Sequence, residues 1–158
     1  MDPLLQFFMF GLQQDPEPEV RANAAFAMGI LAERAGAALY PYYHTIMSAL
    51  HDAVAREGGQ RTRVTDNVVA SVCRLVLAGT DQVPLQSVLG PLLGLLPLAE
   101  DMDEWATVCR CLMFCTQQRL DQVAALVPHM VQGCSAGLQS DIPPGIQKKT
   151  KERRRRRR

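Results

Sequence analysis

Two stretches decide the fold: VRANAAFAMGILA, from Val20 to Ala32, and VTDNVVASVCRLV, from Val64 to Val76. Laid over one another they pair Val20 with Val64, Asn23 with Asn67, Ala24 with Val68 and Leu31 with Leu75, an offset of 44 residues. Within the first copy Val20, Ala24, Met28 and Leu31 recur at helical spacing, which predicts a helix with one apolar face. A helix that returns after about forty residues, with room for a second helix in between, is the mark of hairpins stacked into a solenoid. Such arrays work by surface recognition rather than by chemistry.

The flanking sequence supplies the partner helices. Leu4 to Leu12 is an apolar helix, and Asp15-Pro16-Glu17-Pro18-Glu19 starts the next one. Proline suits a first helical turn, where its missing N–H has no partner to lose, and the acids face the positive helix end. Gly36 breaks that helix, and Leu39 to Arg56 is predicted as one helix ending at Gly58-Gly59. Thr62 to Leu77 pairs with it; Val83 to Leu96, Trp105 to Gln118 and Leu120 to Leu138 continue the series. Pro41, Pro91 and Pro128 fall inside the first helices of successive pairs at spacings of 50 and 37, averaging near the offset of the second helices. The prediction is an all-α HEAT-type solenoid of about three to four antiparallel helix pairs over residues 1–144. Leu31, Ile46, Leu50, Leu75, Leu93 and Leu112 are its expected core. After Asp141-Ile142-Pro143-Pro144 another second helix is due, but residues 145–158 turn into a Lys/Arg-rich tract, expected to be disordered through self-repulsion. The apolar stripe Val123, Leu126, Val127, Met130 and Val131 is therefore expected to lack its cover.

Charge is divided along the chain. The net charge is +1, yet Lys148, Lys149, Lys151 and Arg153 to Arg158 hold nine of the 17 basic residues. The remainder carries eight Arg against 15 acids, a balance of −7. The five Cys are odd in number and lie in apolar helical stretches, which fits a reducing compartment. The start Met1-Asp2-Pro3 lacks the basic region of a secretory signal, and the apolar run Val88 to Ala99 is too short for a bilayer. No membrane association is expected, and the reading is a soluble protein of the cytoplasm or the nucleus.

Candidate chemistry is sparse. Cys109, Cys111, Cys115, Cys134 and His129 do not make a zinc site, because Cys109 and Cys111 point to opposite sides of a helix. They read as packing thiols, with no metal and no cofactor. Asp101, Asp103 and Glu104 have no nucleophile or histidine beside them and read as a solvated helix entry. No phosphate loop or nucleophile elbow is present, so an enzyme is not expected. Asp15 and Arg21 have the spacing of a HEAT turn pair that bonds between stacked repeats; the second copy has Gly59 and Thr65 there, which breaks the ladder. Asn23 and Asn67 recur at equivalent helical positions and are expected to bond between repeats. Trp105 opens a second helix and either packs in the core or is presented as a binding anchor. The Arg run either binds phosphates, with non-specific attachment to nucleic acid, or serves as a nuclear localisation signal, or is a splice product that interrupts a repeat.

Three words, DPEPEVRANAAFAMGILAE, TRVTDNVVASVCRLVLA and LPLAEDMDEWATV, resemble the C-terminal repeats of importin-beta (karyopherin-beta) family nuclear transport receptors. The resemblance covers about Asp15 to Pro144 and implies a HEAT-repeat fragment of such a receptor, binding protein cargo for import into the nucleus. It implies basic cargo of the histone or ribosomal type, with Ran and nucleoporins engaged only by a full-length receptor. It also places second helices on the concave side, which makes Glu17, Glu19, Asp66, Asp103, Glu104 and Trp105 the candidate cargo-facing residues. The competing expectation is a generic HEAT scaffold that holds a protein complex together and has no transport role.

Overall fold

The computed structural model describes residues 3–118 and 124–140, and within the last helix only some of the side chains. Every regular element among the described residues is helical: α1 (Pro3–Gln14), α2 (Pro18–Ala35), α3 (Tyr43–Arg56), α4 (Arg63–Ala78), α5 (Leu85–Gly94), α6 (Trp105–Gln118) and α7 (Val127–Ser140). The second helices form one row, α2 on α4 and α4 on α6. The first helices form another, with α1 against α3 and α5 against α7. This is the all-α HEAT solenoid that the 44-residue offset predicts.

Local chemistry sets the helix ends. Pro18 opens α2, and Gly36 closes it at φ +52, a left-handed backbone that costs glycine little. Thr62 caps α4: its hydroxyl accepts from the Thr65 N–H while the Thr65 side chain takes the Thr62 N–H, a reciprocal capping box. The helix predicted from Leu39 to Arg56 is really two pieces. Gly36–Tyr42 is a 3-10 segment, and the α-helix starts at Tyr43, because Pro41 has no N–H to give an α-helical ladder. Pro128 likewise falls in the first turn of α7 rather than in mid-helix. Pro91 does lie inside α5, which is only ten residues long. The tail, residues 145–158, and the stripe residue Val123 lie outside the described residues.

The core runs through the middle of the stack. Ile46, Leu50, Leu75 and Leu112 are fully covered, as expected. Leu31 and Leu93 are corrected: both are half-buried and pack on the core from its margin. In α2 the buried stripe runs through Ala22, Ala25, Met28, Gly29 and Ala32, a rotation that leaves Val20 exposed. Small residues win that face because α4 comes too close for leucine. A Cβ on Gly29 would sit 2.7 Å from Ser71 Oγ and 2.9 Å from Ser71 Cα. The Ser71 hydroxyl donates to the Ala25 carbonyl across the same contact. Of the expected uncovered stripe, Met130 is in fact buried, and Val131 is exposed.

Helix α4 is enclosed along its whole first three turns and beyond: every residue from Val64 to Val76 is buried. It is flanked by α2 and α6 and backed by α3. Between α3 and α5 the first-helix row opens into an apolar groove of about 410 Å³, floored by Val68, Val69 and Val72 and walled by Met47, Val88 and Leu92.

Candidate binding edge and second-helix row

The polar residues enclosed in α4 organise the turns that join first to second helices. Asp66, 1 % exposed, turns its carboxylate onto the loop before α6. It accepts the N–H of Ala99 at 3.0 Å, of Glu100 at 2.7 Å and of Asp101 at 2.9 Å. Three backbone donors on one carboxylate compensate for the loss of water. Asn67 donates to the Arg63 carbonyl at 3.1 Å and to Asp101 Oδ2 at 3.2 Å, so it bonds between repeats as expected. Asn23 is exposed on α2 and needs no protein partner there.

The repeat ladder exists, but other atoms build it. Arg21 does not reach the Asp15 carboxylate; it donates to the backbone carbonyls of Asp15 at 3.2 Å and Pro16 at 2.7 Å. Asp15 instead accepts the Glu17 N–H at 2.9 Å. The other guanidinium nitrogen of Arg21 pairs with Glu57 Oε1 at 3.0 Å in the next repeat, and Thr62 holds Glu57 Oε2 at 2.9 Å. The ladder expected to break at Gly59 and Thr65 thus continues through Glu57 to the second repeat, and through Asp66 to the third.

Three of the candidate cargo-facing residues are inside the protein. Asp66 anchors the loop just described. Glu104 is buried against Arg74, with Oε2 at 2.7 Å and Oε1 at 3.0 Å from the same guanidinium nitrogen. Trp105 is 5 % exposed and belongs to the core, not to the surface. The physical reason is shared: the loop before α6 folds back onto α4, so the start of α6 points inward. Glu17, Glu19 and Asp103 are exposed.

Those three acids lie along one edge. Arg63 meets Glu19 Oε2 at 2.8 Å and Asp101 Oδ2 at 3.5 Å, and its N–H donates to Glu100 Oε2 at 3.2 Å. Arg56 and Arg61 donate to the carbonyls of Gln13 and Gly94. Each of these bonds joins one first-to-second-helix turn to its neighbour, so the three turns stand side by side. Glu17, Glu19, Glu100 and Asp103 are exposed on them. Glu19 and Arg63 are themselves 44 residues apart, one repeat, a signal present in the sequence but unused.

Further along the row, Arg74 is nearly enclosed. Its guanidinium lies 5.1 Å from the Phe26 ring centroid and 3.7 Å from Glu33 Oε2. Glu33 Oε1 is 3.1 Å from Arg110. Arg74 stands opposite Ile30 in the repeat alignment, and that replacement of an apolar position by a charge was the sequence signal for this network.

The thiols cluster between α4 and α6. Cys73, Cys111 and Cys115 are buried. Cys111 is pulled down by its hydrogen bond with Cys115 but is raised overall by the bond with Cys73 and by burial. The bond with Cys111, then burial, pushes the Cys115 thiol up. Thiols held protonated are poor nucleophiles and poor ligands. Among the described residues no group of three or more His, Cys, Asp or Glu could hold a metal. No helix among them is long and apolar enough to cross a membrane.

Stacked helix hairpins joined by inter-repeat polar bonds define a HEAT-repeat protein. The model of the HEAT repeats of stalled ribosome sensor GCN1-like proteins matches residues 14–142, and the chain belongs to this HEAT-repeat family. The importin-beta resemblance also holds. The chain is similar to human importin-4, 39 % identical over 132 residues, and to mouse importin-4, 34 % identical over 132 residues. It is 32 % identical over 127 residues to the probable importin subunit beta-4 of Schizosaccharomyces pombe. These alignments cover 83 %, 83 % and 80 % of the chain, but only 12 %, 12 % and 11 % of the relatives.

Proposed function

We propose that the chain is an importin-type binding module that takes basic segments of protein cargo, of the histone or ribosomal type, along the acidic edge of its first-to-second-helix turns. The observation that carries this reading is the exposure of Glu17 and Glu19 at the start of α2 and of Glu100 and Asp103 before α6, on a body whose charge balance is −7. Carboxylates on two turns of the same edge steer and hold a cationic chain, while rejecting an acidic one by repulsion. The importin names of the relatives support cargo carried into the nucleus, with the chain moving between cytoplasm and nucleus. Ran and nucleoporin contacts belong to the full length of such a receptor, of which this chain spans about one eighth. The function is binding, not catalysis.

The test is charge reversal. Glu17→Lys, Glu19→Lys and Asp103→Lys together should weaken a fluorescent Lys/Arg-rich peptide about tenfold or more, because each replaces attraction by repulsion. Compared singly, Glu19→Lys should weaken the peptide clearly more than Asp52→Lys, on the exposed side of α3. Equal loss in both variants would leave only non-specific attraction to net charge, and no binding in the unaltered chain would favour a scaffold without a cargo role.

A further inference from the structure

We infer that Arg110 is a built-in occupant of the second-helix row: its pairing with Glu33 clasps α6 to α2 across α4, and a basic ligand opens the clasp by taking Arg110's place. The clasp follows from the geometry alone, whereas its opening by ligand rests on the binding function proposed above.

Glu33 and Arg110 stand 77 residues apart, on helices that are not neighbours in the row, yet their side chains meet at 3.1 Å. Helix α4 lies between α2 and α6, packed on both. A side-chain bond that spans a helix draws together the helices on either side, and so biases the curvature of the row within what their packing on α4 allows.

The Glu33 carboxylate is shared between two guanidinium groups that differ in how firmly they are held. Arg74 is 7 % exposed, bound to Glu104 at 2.7 Å and placed beside the Phe26 ring. It stays fixed whatever happens at Glu33. Arg110 is 61 % exposed, and the Glu33 side chain is 32 % exposed. A solvated arginine gives up rotamer freedom to hold one geometry, and salt screens what it gains, so this bond is the one that yields. A guanidinium or ammonium group from a ligand replaces it one for one. A ligand with several cations also engages Glu19 and Asp103, and that linkage raises its effective concentration at Glu33 above what a single charge could reach. Arg110 thus sets a threshold, in that only a multiply charged ligand outcompetes it.

The test uses the full chain with spin labels at Ala37, just beyond α2, and Met113, on the exposed side of α6, attached through non-cysteine chemistry. Arg110→Gln should lengthen and broaden the 37-to-113 distance at low salt, to the value the unaltered chain reaches at about 0.5 M salt, where exposed pairs are screened. Glu33→Gln should do the same. An Arg-rich peptide should lengthen the distance in the unaltered chain and leave Arg110→Gln without further change, while binding the variant several-fold more tightly. A distance unaffected by Arg110→Gln at low salt would overturn the clasp. A peptide that binds without changing the distance would overturn its opening by ligand, with the binding function intact. Lengthening in Arg110→Gln with no peptide binding at all would support the clasp and sink the binding function instead.

Discussion

Gly29 shows what a single position must do for two helices of the row to touch. Ser71 occupies the space a side chain would need, with its Cα 2.9 Å from the would-be Cβ. Backbone cannot step aside as a side-chain tip can. Gly29→Ala should therefore destabilise the chain by roughly 1–3 kcal/mol in urea melts, despite alanine's better helix propensity. A more stable variant would mean that α2 and α4 are not in contact as described. Tyr43 gives a pH prediction at the same scale. Burial first, and the neighbouring Tyr40 second, push its hydroxyl from 10.0 up to about 12. The neutral form is thus favoured when folded. Its contribution is fully present below pH 10, where the unfolded chain also holds the proton, and is lost as pH rises towards 12. Stability should fall by roughly 2 kcal/mol more across that window than in Tyr43→Phe, which has no proton to lose. Identical slopes would remove Tyr43 from the account.

At the scale of the element, α4 carries most of what the repeat pattern could not show. Its apolar positions and its length were legible, because Val64, Val68, Leu75 and their copies in α2 repeat at helical spacing. Its buried polar residues were not. A charged residue beside an apolar stripe reads as solvated in one dimension, and only the third helix pair, folded back on α4, makes Asp66 and Arg74 interior. The same fold-back turned Glu104 and Trp105 inward, against the surface expectation. The break at Pro41 was visible in principle, since proline cannot continue an α-helical ladder, yet an apolar pattern runs across it. Glu17, Glu19 and Asp103 remain exposed, Asp103 in the same short turn as the buried Glu104. Truncation separates anchoring from solvation. Asp66→Ala should cost about 2–3 kcal/mol by removing charged acceptors from three N–H groups. Arg74→Ala should cost about 3–5 kcal/mol, because it leaves the Glu104 carboxylate buried without its partner. Glu100→Ala, exposed, should shift the melt little. If all three behave alike, α4 is not the hub described here.

For the whole molecule, stacking and charge are separable. Apolar contacts between neighbouring hairpins hold the solenoid, so Leu75→Ala, at the centre of that core, should cost roughly 2–5 kcal/mol and lower the melting temperature at any salt. Charge sets what the folded stack attracts and, through Glu33 and Arg110, biases its curvature. The acids that face solvent lie on the first and third turns, with Arg61 and Arg63 exposed on the turn between, so they offer two points of attachment rather than a single pocket, and the number of ligand cations should matter more than their order. The basic tract at residues 148–158 is opposite in sign to this edge, and deleting it should strengthen binding of basic peptides if it competes for the same acids.

The central claim is that the folded body selects basic segments by charge. The most direct measurement is titration of one Lys/Arg-rich peptide and one Asp/Glu-rich peptide of equal length across a salt series, against the chain without residues 145–158, whose Lys/Arg tract would itself attract the acidic peptide. The account predicts that the basic peptide binds and weakens steadily as salt rises, while the acidic one binds far more weakly at low salt. Equal affinity for the two peptides, or a basic peptide whose affinity does not change with salt, would contradict it.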